Sequence, residues 1–176
     1  FSKLSLDVTR IMSDHLEWEG YPMCVMRGGG SGHFWGGMTT GALPDGRKAF
    51  EAVADGNLSP VQGMDTKGPT AVILSATRVN QTEYSLTTLL NMKIMPSIVE
   101  TREGIRKVMA LIKTLFDRGG WHIQFNMLDH FTLLEAQRNP EEHKNLVVRV
   151  GGYSAYFVDL TKEIQNDVIT RTQHVL

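Results

Sequence analysis

Arg149-Val150-Gly151-Gly152-Tyr153-Ser154-Ala155 is the stretch on which the reading of this chain turns. A β-type run, Leu146 to Val150, ends at two glycines, and an apolar, aromatic run from Tyr153 to Leu160 follows them. Two glycines between such runs form a tight turn or a bulge, because glycine enters positive φ without a Cβ penalty. Thr161 then opens a last helix whose inner face carries Ile164, Val168 and Ile169. Just upstream, Trp121 to Leu128 alternates as a strand does. Asp129 caps a short helix reaching about Gln137, with Pro140 beyond its end.

Further upstream lies the clearest element. From Thr101 to Arg118, apolar residues fall at Ile105, Val108, Met109, Ile112, Leu115 and Phe116, one helical stripe that Gly119-Gly120 ends. Thr70 to Val79 reads as a strand, and Thr87 to Met95 as a helix or the end of one. Residues 28–69 read as mostly irregular, with strong turn chemistry at Pro44-Asp45-Gly46. So long a loop is either functional or disordered. Its Phe34, Trp35, Phe50, Val53 and Leu58 argue for ordered backbone that lines something. At the start, residues 2–18 fit an amphipathic helix with Leu4, Leu6, Ile11, Met12 and Leu16 on one face, and Tyr21 to Met26 fits a buried strand. Strand and helix signals alternate, so the fold class is α/β.

Composition narrows the function classes. The 176 residues carry 18 basic and 19 acidic side chains, a formal net charge of −1, with 41% hydrophobic content. That balance gives no electrostatic footprint for nucleic acid or an anionic membrane. No apolar run is long enough to span a bilayer. The single cysteine, Cys24, cannot form an internal disulfide. A cytoplasmic protein is expected. The opening Phe1-Ser2-Lys3-Leu4 reads as the inside of a longer chain.

Three chemical signals are weak. His15, His33, His122, His130, His143 and His174 show no i, i+4 pair and no cysteine pair between them, so no metal site is expected. The run Gly28 to Gly32 lacks the Lys-Ser/Thr of a phosphate loop, and Trp35 stands where the third glycine of a dinucleotide fingerprint belongs. Cys24, between Met23 and Val25, reads as a buried structural cysteine.

The glycine pair is stronger in its full context. Arg149-Val150-Gly151-Gly152-Tyr153-Ser154-Ala155 resembles the radical-glycine motif of the glycyl radical enzymes, the family of pyruvate formate-lyase, glycerol dehydratase, arylacetate decarboxylases and alkylsuccinate synthases. The glycine directly before tyrosine maps to Gly152. The match runs on through Phe157, Leu160-Thr161-Lys162-Glu163, Gln165, Asp167 and Ile169-Thr170-Arg171-Thr172. A second block agrees: Thr40-Gly41-Ala42-Leu43-Pro44-Asp45-Gly46-Arg47, then Ala54-Asp55-Gly56, Ser59-Pro60, Gly63, Asp65 and Gly68-Pro69-Thr70-Ala71. Two departures stand out. Gly151 occupies a position where the family more often has serine or alanine, and Phe50 replaces a small residue.

The resemblance implies the C-terminal portion of a ten-stranded α/β barrel, with residues 1–120 as barrel and 121–176 as a glycine radical domain. It implies that Gly152 stores an unpaired electron, flanked by Arg149, Val150, Gly151, Tyr153 and Ser154. Glycine suits that role, because a planar Cα radical between an amide nitrogen and a carbonyl leaves no room for a side chain. Tyr153, Tyr156 and Phe157 are expected to pack the loop inside the protein. No bound cofactor is implied. A separate radical S-adenosylmethionine activating enzyme would take the hydrogen, for which residues 146–176 must swing out and return. A cysteine outside this chain would then become the thiyl that attacks a small organic substrate, and oxygen would cut the backbone at Gly152. A homo-oligomer is expected. His33 and Trp35 are candidate substrate contacts. Two rivals remain: a spare-part module that docks on an oxygen-cleaved enzyme, and a structural domain whose glycine is never activated.

Overall fold

The computed structural model describes residues 2–23, 32–82 and 87–175. Cys24 and the glycine run at 28–31 lie outside the described residues. The chain opens with α1 (Ser2–His15), followed by a small hairpin of β1 (Glu17–Trp18) and β2 (Tyr21–Pro22). The expected buried strand at Tyr21 to Met26 is not found in its described part: Tyr21, Pro22 and Met23 are exposed, and β2 pairs only with β1. Then come α2 (His33–Met38), α3 (Pro69–Ala76), β3 (Asn91–Ile94) and α4 (Arg102–Asp117). After these follow β4 (Gln124–Asn126), α5 (His130–Arg138), β5 (Val147–Arg149), β6 (Ser154–Tyr156), α6 (Lys162–Thr170) and β7 (Gln173–His174).

Two further expectations fail, for physical reasons. Thr70 to Val79 is not a strand; its Ala-Val-Ile-Leu run forms α3, started by Pro69 at the first helical position after Gly68. That proline fixes a helical φ and lacks an N–H that the first turn would leave unpaired. Thr87 to Met95 is not a helix; Asn91–Ile94 is the middle strand of a parallel sheet ordered β4-β3-β7. A strand covered on both faces shows no alternation, and Met92, Lys93 and Ile94 are all buried.

The α4 stripe splits in two. Val108, Leu111 and Leu115 are buried against α3 and β3, joining Val72, Ile73, Leu90, Met92 and Ile94 in one core. Met109 (62% exposed) and Phe116 (51%) lie on a face that none of the described residues covers. The apolar face of α1 is likewise open, with Leu4 63% exposed. A second core gathers Leu133, Ala136, Val148, Val150, Phe157, Val168 and Ile169 from α5, the β5–β6 hairpin and α6. The parallel sheet joins the two cores, because β4 and β7 both pair with β3. No helix among the described residues is long and apolar enough to cross a membrane.

Candidate functional site at the glycine hairpin

The two glycines form the tip of the β5–β6 hairpin, whose register pairs Arg149 with Ser154. Val150 N–H closes the tip on the Tyr153 carbonyl at 2.9 Å. Gly152 has φ +85°, in the left-handed region that favours glycine. It is exposed, whereas Gly151 beside it is buried. Of the aromatic residues expected to pack the loop inward, Phe157 is fully buried, but Tyr153 and Tyr156 stay exposed in this chain.

The limb before the tip is held on two sides. Asn126 on β4 clamps Arg149 twice: its Nδ2 donates to the Arg149 carbonyl and its Oδ1 accepts the Arg149 N–H, both at 2.8 Å. Arg171, just after α6, donates from Nη1 to the same carbonyl at 3.2 Å.

Arg171 also belongs to a buried ionic cluster. Its Nη1 reaches Asp55 Oδ2 at 2.9 Å and its Nη2 reaches Asp167 Oδ2 at 2.7 Å. Asp167 accepts two further bonds at 3.0 Å, from His33 Nε2 and Gln62 Nε2. Burial alone would raise the Asp167 carboxyl, but the His33 hydrogen bond and the Arg171 charge outweigh it and hold it below its ordinary value. Nearby, Asp65 accepts from the Thr172 hydroxyl and lies 2.9 Å from His174 Nε2. Lys93 on β3 donates to the carbonyls of Ile169 and Arg171 at the end of α6. Burial and then the Arg171 charge lower its ammonium to about 8. Residues 167–174 are therefore bound to the 33–65 segment and to β3 by buried, charge-assisted bonds.

His33 and Trp35 are not brought together. His33 is 4% exposed, inside this cluster and behind Gly151. Trp35 is exposed and makes an edge contact with Phe34, ring centroids 5.3 Å apart. A cleft of about 490 Å³ does open beside α6, lined by Phe34, Arg47, Phe50, Met64, Asn166 and Asp167, and neither His33 nor Trp35 lines it. Among the described residues no group of three or more His, Cys, Asp or Glu is placed to hold a metal ion. Asn126 and Lys93 were missed in the sequence, where nothing marks them. Asp55, Asp65, Asp167 and Arg171 were visible only as matches to a family pattern, with no role attached.

Comparisons with known proteins place the chain in a family. Residues 54–158 match the family model described as "Glycine radical". The chain is 46% identical over 142 residues to isethionate sulfite-lyase of Nitratidesulfovibrio vulgaris, covering 78% of this chain and 17% of that protein. It is 38% identical over 174 residues to indoleacetate decarboxylase of Tractidigestivibacter scatoligenes, covering 99% of this chain and 20% of that protein. The glycerol-bound B12-independent glycerol dehydratase from Clostridium butyricum superposes with a TM-score of 0.88 at 40% identity, over 99% of this chain and 22% of that one. The chain thus spans about a fifth of the length of the relatives it matches. With Gly152 inside the matched residues and an α/β fold shared at that score, the chain belongs to the glycyl radical enzymes and corresponds to their C-terminal portion.

Proposed function

We propose that Gly152 is the radical-storing residue of an oxygen-sensitive enzyme of anaerobic metabolism, acting in the cytoplasm on a small organic substrate. The observation that carries this reading is the exposed, positive-φ Gly152 at the tip of a hairpin whose base is clamped by Asn126 and Arg171. A radical S-adenosylmethionine activating enzyme takes one hydrogen atom from the Gly152 Cα. The glycyl radical then takes a hydrogen atom from the thiol of a cysteine outside this chain, and the resulting thiyl takes one from the substrate. Each step exchanges one C–H or S–H bond for another. The protein's part is position and exclusion of side reactions.

The relatives' names include a sulfite-lyase, a decarboxylase and dehydratases, which favour cleavage of a C–S, C–C or C–O bond; C–N cleavage and addition to fumarate complete the reaction class we propose. The open faces of α1 and α4, and Tyr153 and Tyr156, fit contact with the remainder of the enzyme, which carries the cysteine. The assembled enzyme is proposed to be a homo-oligomer.

The test is anaerobic electron paramagnetic resonance of the full-length protein after incubation with its activating enzyme, S-adenosylmethionine and reductant. The expected result is a doublet that collapses when glycine is deuterated at Cα and vanishes in Gly152→Ala. No signal from a folded protein with a competent activating enzyme overturns the reading.

A further inference from the structure

Gly151 and Gly152 are glycines for different reasons. At Gly152 an added Cβ would meet only Leu89 Cδ2, at 3.7 Å, an ordinary contact; what requires glycine there is the φ of +85°. At Gly151, which has no positive φ, the obstacle is space. A Cβ there would lie 3.1 Å from His33 Nδ1, 3.3 Å from His33 Cε1 and 3.4 Å from the Asp55 carbonyl oxygen. The first two distances are tighter than nine in ten real Cβ contacts, so the ring would have to move.

The ring is not free to move. On the backbone side, the His33 carbonyl accepts the Val53 N–H at 3.1 Å. On the ring side, Nε2 lies 3.0 Å from Asp167 Oδ2, itself bonded to Arg171 and Gln62. An ionised carboxylate only accepts, so Nε2 turns a hydrogen toward Asp167. The other ring nitrogen, Nδ1, is buried without a hydrogen-bond partner among the described residues, and it faces Gly151. A buried polar nitrogen left without a partner costs free energy, which a neighbouring hydroxyl, able to donate or accept, would relieve. The position facing it is also the one where this sequence departs from the serine or alanine of the family it resembles.

We propose that His33 is a positioning residue of the glycine hairpin. Its imidazole, oriented by Asp167, fills the place of a side chain at 151 and so sets where the Gly151–Gly152 peptide and the Gly152 Cα lie. The ring acts through Gly151, and the inference rests on the reading of Gly152 as the radical carrier. It also identifies an Asp167–His33–Gly151 relay of contacts by which α6 holds the hairpin.

The test is a double-mutant cycle in the full-length protein, with spins per protomer and the doublet splitting read after anaerobic activation. Gly151→Ala should lose severalfold in spins, since ring and hairpin must part by a few tenths of an ångström and such chemistry is sensitive to position. His33→Ala should lose less, because Asp167 keeps Arg171 and Gln62 as partners. The combination of both should recover most of the Gly151→Ala loss, a non-additivity that neighbours in contact produce. Gly151→Ser should retain more signal than Gly151→Ala, its hydroxyl giving Nδ1 a hydrogen-bond partner. Additive losses in the double variant, or a Gly151→Ala protein with the wild-type doublet, overturn the proposal. If Gly151→Ala fails to fold, thermal midpoints are read instead: rescue of folding by His33→Ala supports the proposal and no rescue overturns it. A wild-type doublet that survives Gly152→Ala is a separate outcome, which sinks the radical assignment itself.

Discussion

Asp55 and Arg171 meet at 2.9 Å with side chains 8% and 7% exposed, and through this pair the segment after α6 is bound to the loop that precedes α3. A buried pair of this kind is expensive to break from one side, because the remaining charge is stranded. Asp55→Ala is expected to destabilise residues 146–175 by about 3 kcal/mol. Arg171 keeps Asp167, which limits the loss. Replacing both partners, Asp55→Leu with Arg171→Met, should cost more than Asp55→Ala alone, because it also takes Arg171 from Asp167 and from the Arg149 carbonyl. Hydrogen exchange of the full-length protein, read over 146–175, checks both. Equal protection in wild type and Asp55→Ala would remove this pair from the account of closure.

Lys93 gives stability a pH dependence. Its folded value, about 8, lies below the ordinary 10.5. Between those values the folded state binds fewer protons than the unfolded one, so stability rises with pH across that window. Below about pH 8 the penalty for burying the ammonium is constant. The thermal midpoint of wild type, taken relative to Lys93→Met, should therefore climb between pH 8 and 10 and stay level from 6.5 to 7.5. A level difference across the whole range would show that the ammonium is not desolvated.

Phe50 has φ +66° and is 71% exposed. A bulky residue in the left-handed region costs about 1–2 kcal/mol, which glycine avoids. Phe50→Gly should stabilise the protein by about 1 kcal/mol after the extra unfolded-chain entropy, whereas Phe50→Ala keeps the strain and should bring no gain. Thermal midpoints of the two variants decide; if both fall by the same amount, the Phe50 ring is packed against something in the full protein.

Asp129 caps α5. Its Oδ1 accepts the Thr132 N–H at 2.7 Å and its Oδ2 the Thr132 hydroxyl at 2.5 Å. Those bonds, the side-chain one first, lower its carboxyl below the ordinary value. Asp129→Ala should cost about 1 kcal/mol and Asp129→Asn a fraction of that. Faster hydrogen exchange at the first turn of α5 would register it, and unchanged exchange there would deny the cap.

The turn at the glycine pair, α4, the Asp129 cap and α6 were legible because each depends on neighbours in sequence: two glycines, a helical stripe, a capping oxygen. What failed was the assignment of short apolar runs. Ala71-Val72-Ile73-Leu74 is as apolar as a buried strand, and only Pro69 following Gly68 marked a helix start. Asn91–Ile94 was hidden by burial on both faces. The proposed radical residue was read from a local string, but the groups that hold it in place were not. His33, Asp55 and Asp167 are joined only by the tertiary fold, and nothing in a sequence says which carboxylate a buried arginine will meet. The same blindness made His33 a candidate substrate contact, when its ring is spent on Asp167 and on the space beside Gly151.

The parallel pairing of β7 with β3, Lys93 to Gln173 and Ile94 to His174, also constrains the order of assembly. It closes a loop of about eighty residues, and such closure is slow compared with the zipping of a local hairpin. The β5–β6 hairpin needs only its own turn. A newly made chain therefore forms its glycine tip early and fastens it late, passing through a species in which the tip exists but Asp55, Asp65 and β3 have not yet received their partners from residues 167–174.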